Sequence, residues 1–334
     1  MPPKTNPVTA TADVYTRITN RIIEDLERGV RPWLKPWSVT NAPDCVARPL
    51  RHNGEPYSGI NIVLLWSEAV TRGFLSPIWM TFRQAVELGG HVRKGETGSM
   101  VVYANRIAKT ETSENGDEVE REIAFLKAYT VFCVDQIDGL PDRYANTPAE
   151  KPTDMHAGRI ERADAFVAAT DAVIRKGGNR ACYNPTVDHI DMPAYASFRD
   201  TDTSTAAEAF YATLLHELVH WTAPTHRCNR ELGKRFGDHA YAREELVAEL
   251  GAAFLCADLR ITPEPRADHS TYIASWLSVL RQDRRAIVSA ASLAQKATEW
   301  LHSTVGAKSN VPRQSRDVKS MSGAGMSADP PRQL

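Results

Sequence analysis

The segment LLHELVHW, residues 214–221, combines metal-ligand side chains with an apolar helical pattern. His216 and His220 are one helical turn apart, so both imidazoles can reach one ion through metal–nitrogen bonds of about 2.0–2.1 Å. Glu217 lies beside them, where it can take a proton from the attacking water. Leucine and valine occupy the other side and predict a core-facing surface. This HExxH pattern predicts a metal site with Glu217 as catalytic base, and the alternative is two core histidines satisfied by hydrogen bonds.

A third ligand is expected from REELVAELGAAF, residues 243–254. Glu245 and Glu249 share a helical face among apolar residues, where a carboxylate needs a cation. We predict that Glu245 binds the metal and that Glu249 accepts a hydrogen bond from a ligating histidine. Glu244 is the rival ligand. The alternative interpretation of Glu244 is a solvated glutamate next to Arg243.

Peptide hydrolysis at such a site also requires an oxyanion stabiliser and a place for the substrate. Tyr241, His226 and His239 are the oxyanion candidates, and the sequence does not rank them. The strand RACYNPTVDHIDMP, residues 180–193, can bind an extended peptide by strand addition, with an ordinary structural edge as the alternative. The expected cofactor is one divalent metal ion, with Zn2+ ahead of Mn2+. The sequence thus predicts a zinc-dependent metallopeptidase of the glutamate zincin type.

Basic and aromatic residues alternate in RPWLKPW, residues 31–37, and more of both kinds follow. This composition suits single-stranded nucleic acid, because rings stack on bases and cations follow the phosphates. The alternative is that the tryptophans belong to the core of a small domain. The nucleic-acid-binding candidates are Arg31, Trp33, Lys35, Trp37, Arg48, Arg51, Tyr57, Arg83, Arg93 and Lys94.

The composition is ordinary for a globular protein, with 334 residues, 42% hydrophobic residues and a net charge of −1. The first 110 residues nevertheless carry 14 Lys and Arg against 9 Asp and Glu, which is compatible with a basic front surface. The five cysteines are widely spaced without a CxxC pair, which argues against a disulfide framework or a Cys-based zinc site. The N-terminus lacks a signal core and no apolar run approaches membrane-spanning length, so we expect a cytoplasmic protein with no membrane partner.

Periodicity and turn residues predict the elements that position these groups. In front we expect helices at 12–29, 61–73 and 79–90, then strands at 99–109 and 122–134 that pair as a hairpin. Behind a Pro- and Asp-rich segment we expect a helix at 157–176, a strand or hairpin at 180–193, the motif helix from about 205, a helix at 241–258 and largely helical sequence to about 304.

The predicted fold class is α+β with two domains. A small α+β domain with the basic and aromatic segment covers residues 1–145, and a linker covers 146–156. A mostly helical domain with the HExxH motif covers 157–305. The remaining segment, 306–334, has almost no large apolar residues and is predicted to be disordered.

Several stretches resemble the plasmid anti-restriction family ArdC along nearly the whole ordered length. They are NRIIEDLERGVRPWLKPW, GEPYSGINIVLLW, WMTFRQAVELGGHVRKGE, VFCVDQIDGL, LLHELVHWT, YAREELVAELGAAFL and YIASWLSVL. The resemblance implies an N-terminal domain that binds single-stranded DNA, similar to one on conjugative primases, joined to a zincin-like metallopeptidase domain. It also implies protection of incoming conjugative plasmid DNA from host restriction in a bacterial cytoplasm. His216, Glu217, His220 and Glu245 match the family pattern.

Three functional hypotheses follow. In the first, the protein binds single-stranded DNA and hydrolyses or engages an unknown host protein, and so protects DNA from restriction. In the second, it is a non-catalytic coat for single-stranded DNA, and its metal is structural. In the third, it is a regulatory metalloprotease that cleaves a specific repressor. A Glu217→Gln variant distinguishes the catalytic hypotheses from the second, because only hydrolysis needs the base.

Overall fold

The computed structural model describes residues 7–34, 47–112, 118–144, 155–201, 204–233, 238–262 and 269–309, and it has the predicted α+β class. The helices are α1 Pro7–Glu27, α2 Ile60–Arg72, α3 Phe82–Glu87, α4 Met155–Ala169, α5 Ala206–Trp221, α6 His239–Leu259, α7 His269–Gln282 and α8 Ala286–Ser309. The strands are β1 Leu50–Arg51, β2 Ile78–Met80, β3 His91–Val92, β4 Ser99–Thr112, β5 Glu118–Cys133, β6 Ile137–Asp138, β7 Val173–Gly178, β8 Cys182–Asn184 and β9 His189–Pro193.

The front part contains a four-stranded sheet in the order β1-β2-β5-β4. Strands β4 and β5 form the predicted antiparallel hairpin, while β1 runs parallel to β2. The predicted start of the helix at 79–90 is wrong, because the helix begins at Phe82. Trp79 and Met80 are buried in β2 and pair with β5, and the helix begins only after Thr81, whose hydroxyl accepts a hydrogen bond from the backbone N–H of Gln84.

The rear part contains a three-stranded sheet in the order β7-β9-β8, with β8 at one edge. The helix expected at 157–176 is too long, because α4 ends at Ala169 and β7 begins at Val173. Asp171 between them has a φ of 62°, a left-handed conformation that a continuing helix does not allow. Strand β7 then pairs in parallel with β9. The sequence predicted β8 and β9 but missed their partner.

Helix α5, which carries the HExxH motif, begins at the predicted capping box. The hydroxyl of Thr205 accepts from the backbone N–H of Glu208, and the Glu208 carboxylate accepts from the N–H of Thr205. The same carboxylate accepts from the backbone N–H of Thr262, which follows α6. The start of α5 and the end of α6 are therefore fixed to each other.

Helices α5 and α6 pack closely at one glycine. A Cβ atom on Gly251 of α6 would lie 2.8 Å from a methyl carbon of Val219 on α5. Real Cβ atoms do not approach other atoms this closely, so the glycine sets the separation of the two helices. Short separation lets side chains from both helices reach one point.

One main hydrophobic core joins the front and rear parts. It includes Ile18 and Ile62 in front and Leu215, Leu246 and Leu301 behind. The predicted domain boundaries therefore stay a prediction, because this main core includes described residues of both parts, and the front part adds a small second cluster around Met80. Helix α8 continues to Ser309, into the segment predicted to be disordered, and the rest of that tail lies outside the described residues. Within the described ranges, no helix is long and apolar enough to cross a membrane.

Candidate metal centre

Helices α5 and α6 bring three of the predicted site residues together. The Nε2 atoms of His216 and His220 are 3.2 Å apart, and the two carboxylate oxygens of Glu245 lie 3.5 and 3.6 Å from these nitrogens. One ligand atom from each residue lies within 4.8 Å of the others, and all three residues are buried. Two imidazole nitrogens and a carboxylate converging on one point are a suitable donor set for a divalent cation.

The charges around this point also favour a cation. Burial tends to lower the pKa of His220, but hydrogen bonds and charges from Glu244 and Glu245 outweigh it and raise that pKa to about 10. Burial tends to raise the pKa of Glu245, but the two histidines keep it well below its usual value. Glu245 is therefore ionised, and a bound metal ion would compensate its buried negative charge.

Glu244 holds the outer nitrogen of His220. Its Oε1 lies 3.3 Å from Nδ1 of His220, and it accepts two hydrogen bonds from the Arg230 guanidinium at 2.8 and 3.0 Å. Glu244 is therefore not the solvated glutamate that one prediction expected, because it is buried. It is also not placed as the rival ligand, because it contacts the nitrogen of His220 that faces away from the three converging ligand atoms. Sequence reasoning also missed Arg230, since nothing in the chain order indicates that it folds back onto α6.

Glu249 lies behind His216, and the hydrogen bond predicted between them stays a prediction. Its Oε2 lies 3.6 Å from Nδ1 of His216, the nitrogen that points away from Glu245. Its Oε1 accepts a hydrogen bond of 3.3 Å from the indole N–H of Trp33, a residue of the front part. Each histidine thus has a carboxylate behind it, which is the arrangement that fixes the tautomer and orientation of metal-binding imidazoles.

Glu217, the predicted base, is buried on the same helix and lies next to the edge strand. Its Oε2 accepts a hydrogen bond of 2.9 Å from the backbone N–H of Tyr183 in β8. Because this N–H points to Glu217 and not to β9, the open edge of β8 faces α5. The strand-addition surface that the sequence suggested therefore runs beside the predicted base.

The three oxyanion candidates have different surroundings. The hydroxyls of Tyr241 and Tyr272 are 3.2 Å apart. Burial, this partner and the nearby charge of Glu245 all raise the pKa of Tyr241, so its hydroxyl stays protonated at neutral pH. His226 and His239 are exposed. Of the three, Tyr241 is the one the structure places next to a predicted ligand.

The nucleic-acid candidates are mostly engaged elsewhere. Trp33 has no exposed surface and packs edge-on against Trp276, and Tyr57 is also buried. A ring without an exposed face cannot stack on a base, so the core interpretation replaces stacking for both residues. Arg31 is half-buried near Glu249, and burial lowers its pKa.

The other described candidates are cations, and all of them except Arg48 are exposed. Arg48 pairs with Asp258, Arg51 with Glu55, Arg83 with Glu87, and Arg93 with Glu96 and Asp138, while Lys94 is exposed. Lys35 and Trp37 lie outside the described residues. The described members thus supply positive charge but no ring for stacking.

Sequence reasoning missed exposed rings on the hairpin. Tyr103 is 52% and Tyr129 42% exposed, and the register pairs Tyr103 with Lys127 and Val101 with Tyr129, which places both rings and the lysine on one face. The Lys127 ammonium lies 5.1 Å from the Tyr129 ring centroid. The available signal was period-2 alternation in the two strands, but it does not show which face leaves the core.

Comparisons with known proteins agree with this architecture. Residues 12–132 match the N-terminal domain of the anti-restriction factor ArdC, and residues 161–293 match a zincin-like metallopeptidase family. The fold and site therefore define a two-domain protein whose rear part matches a zincin-like metallopeptidase family and has a site for one divalent metal ion.

The chain belongs to the ArdC anti-restriction family. It is similar to the metal-free crystal structure of the antirestriction ArdC protein from the R388 plasmid, at 42% identity with a TM-score of 0.71, covering 88% of this chain and 98% of that one. The Mn(II)-bound structure of that protein gives 43% identity and a TM-score of 0.67, covering 87% and 97%.

Two curated relatives extend the comparison. The uncharacterised protein y4eC of Sinorhizobium fredii is 43% identical over 298 residues, which cover 87% of this chain and 92% of that protein. The DNA primase TraC of Escherichia coli is 35% identical over 305 residues, which cover 86% of this chain but 27% of the primase. The matched region is therefore one part of a much longer primase.

Proposed function

We propose that this protein binds single-stranded DNA with its front part and hydrolyses a peptide bond of a host protein at the metal centre, and that together these activities protect incoming conjugative plasmid DNA from restriction. The observation that carries the proposal is the position of Glu217. It lies on the helix of His216 and His220, and it is held by the backbone of an open strand edge. A purely structural metal site needs neither feature.

In the proposed reaction, His216, His220 and Glu245 hold one divalent ion, Zn2+ in first place and Mn2+ in second. When bound, the ion polarises the scissile carbonyl and makes water more acidic. Glu217 takes the proton of the attacking water and passes it to the leaving amine. The Tyr183 N–H holds the Glu217 carboxylate in place, and the Tyr241 hydroxyl donates a hydrogen bond to the developing oxyanion.

A Glu217→Gln variant tests the hydrolytic half. The amide oxygen still accepts from the Tyr183 N–H, but the base is lost, so we expect cleavage of the host protein to fall by roughly 10²–10⁴-fold. Metal content and affinity for single-stranded DNA should stay at the parent level. The matched control is Glu161→Gln, which changes an exposed glutamate of α4.

The readouts are metal-dependent cleavage of a host protein in lysate and survival of a conjugated plasmid in a restricting recipient. Survival with Glu217→Gln equal to that with the parent would refute hydrolysis as the mechanism and support the non-catalytic coat. Cleavage of one repressor without any effect on survival would support the regulatory protease.

For the DNA half, we propose that bases stack on Tyr103 and Tyr129 and that phosphates contact Lys127, with Arg51 and Lys94 as further cations. The two rings lie on the same exposed face as the lysine, which is the combination that single-stranded DNA requires. The segment with Lys35 and Trp37 stays a predicted contact.

Substitutions on this face should separate stacking from charge. Tyr103→Ala and Tyr129→Ala should each weaken oligo(dT) binding by about 1–3 kcal/mol and leave the slope of affinity against salt unchanged. Lys127→Ala should reduce that slope by about 1. The control is Tyr195→Ala, which removes a ring of similar exposure, 51%, from the rear part. Parent-like affinity in both front tyrosine variants would exclude the hairpin face.

A further inference from the structure

Trp33 links the front part of the chain to the metal centre. It lies after α1, far from α5 and α6 in sequence, yet its side chain is completely buried among residues of the rear part. Its indole N–H donates to Oε1 of Glu249 at 3.3 Å, and Oε2 of the same carboxylate lies 3.6 Å from Nδ1 of His216. One carboxylate therefore connects Trp33 with a predicted ligand.

A second connection runs through stacked rings. Trp33 packs edge-on against Trp276 with ring centroids 6.0 Å apart, Trp276 stacks on Tyr272 at 6.1 Å, and Tyr272 stacks on Tyr241 at 6.2 Å. Tyr241 in turn lies close enough to Glu245 for that carboxylate to raise its pKa, after burial and Tyr272. The rings form a continuous packed row from the front segment to the neighbourhood of the third ligand.

We propose that Trp33 is a positioning residue of the metal centre: its indole N–H fixes the Glu249 carboxylate, which orients the His216 imidazole for metal binding. A buried carboxylate with a fixed donor on one oxygen can adopt few rotamers, so its second oxygen stays directed at Nδ1. The metal centre is then completed by a segment of the front part. The inference needs only the metal site and depends on neither peptide hydrolysis nor DNA binding.

The chain offers a matched control in Trp66. This residue is also a buried tryptophan of the front part, its N–H also donates, to the backbone oxygen of Ala47 at 2.9 Å, and its ring also packs on an aromatic ring of the rear part, Phe254, at 5.9 Å. Its N–H donates to Ala47 and not to Glu249. Trp33→Phe and Trp66→Phe therefore remove similar volume and one donor each, but only the first touches the carboxylate behind His216.

The experiment measures Zn2+ affinity of the apo protein by competition with a chromogenic chelator, together with the visible spectrum of the Co2+-substituted protein. Trp33→Phe should weaken Zn2+ binding by roughly tenfold, at the lower end of the effect of losing an outer hydrogen-bond partner, and should change the Co2+ spectrum. Trp66→Phe should change affinity by less than about twofold and leave the spectrum as in the parent. Equal losses in the two variants, or parent affinity in Trp33→Phe, would overturn the proposal.

Two further variants keep the test decisive. In a Glu249→Met background, which removes the acceptor, Trp33→Phe should have almost no additional effect on Zn2+ affinity. If Trp33→Phe does not fold, 3-benzothienylalanine at position 33 keeps the ring shape and lacks the N–H. It should reproduce the tenfold loss, and parent affinity with this analogue would refute the role of the hydrogen bond.

Discussion

Helices α5 and α6 bury charged and polar side chains, whereas the β4–β5 hairpin exposes aromatic rings. His216, Glu245 and Glu249 are at most 7% exposed, while Tyr103 and Tyr129 are 52% and 42% exposed. Each arrangement costs free energy in an isolated domain, because buried charge loses hydration and an exposed ring forgoes burial. A cation between the helices would compensate the first cost, and under the proposed function bases stacked on the rings would compensate the second.

This comparison shows why residue type alone misleads. Trp33 and Tyr129 are both aromatic residues with a basic residue two positions before them, yet one is in the core and the other on the surface. What separates them is packing against the rear part, which only the fold determines. Burial of a polar group and exposure of an apolar one are the informative observations, since the reverse is expected of most side chains.

The largest expected effect is loss of metal after His216→Ala. One of three ligands is removed, so Zn2+ affinity should fall by more than the about 10–100-fold caused by loss of an outer partner. Metal content after dialysis measures this directly. The control, His302→Ala, changes an exposed histidine of α8 and should retain metal. Equal metal content in both variants would contradict the role of His216 as a ligand. It would also contradict the explanation that a bound metal ion compensates the buried charges.

The next prediction compares two ion pairs that have the same length but differ in burial. Arg230–Glu244 and Arg243–Asp283 have the same nitrogen–oxygen distance, 2.8 Å, but the first pair is 2% and 4% exposed and the second 53% and 39%. Arg230→Met leaves a buried carboxylate without its cation and should lower the free energy of unfolding by about 3–5 kcal/mol. Arg243→Met should lower it by about 0–1 kcal/mol. Urea unfolding checks both, and similar losses would contradict the distinction.

The smallest of these effects concerns the separation of α5 and α6. Gly251→Ala places a methyl group against Val219 and should cost about 1–3 kcal/mol in unfolding free energy, with weaker metal binding because the ligands move apart. Gly306→Ala in α8 is the control, because a Cβ there meets nothing within 4 Å. It should stabilise by roughly 0.5–1 kcal/mol through helix propensity. A neutral Gly251→Ala would show that the helices do not need this close approach.

Much of the rear site follows from local sequence. Three of its features depend on residues that are close together in the sequence, and the structure has all three. They are the capping box at Thr205 and Glu208, the shared helix face of His216 and His220, and the apolar surroundings of Glu245 and Glu249. Arg230 and Trp33 could not be assigned in this way, because their partners are fixed by tertiary packing between distant segments. Strand β7 was missed because the three residues 170–172 redirect the chain after α4, and its pairing with β9 is non-local.

The most direct test of the account is a crystal structure of this chain with Zn2+, with the ion located by anomalous scattering at the zinc edge. The account predicts one peak between α5 and α6, about 2.0–2.2 Å from Nε2 of His216, Nε2 of His220 and a carboxylate oxygen of Glu245. It also predicts that Oε2 of Glu249, now 3.6 Å from Nδ1 of His216, comes within hydrogen-bond distance of that nitrogen. A peak elsewhere, or none between these helices at full Zn2+ occupancy in solution, would contradict the metal centre.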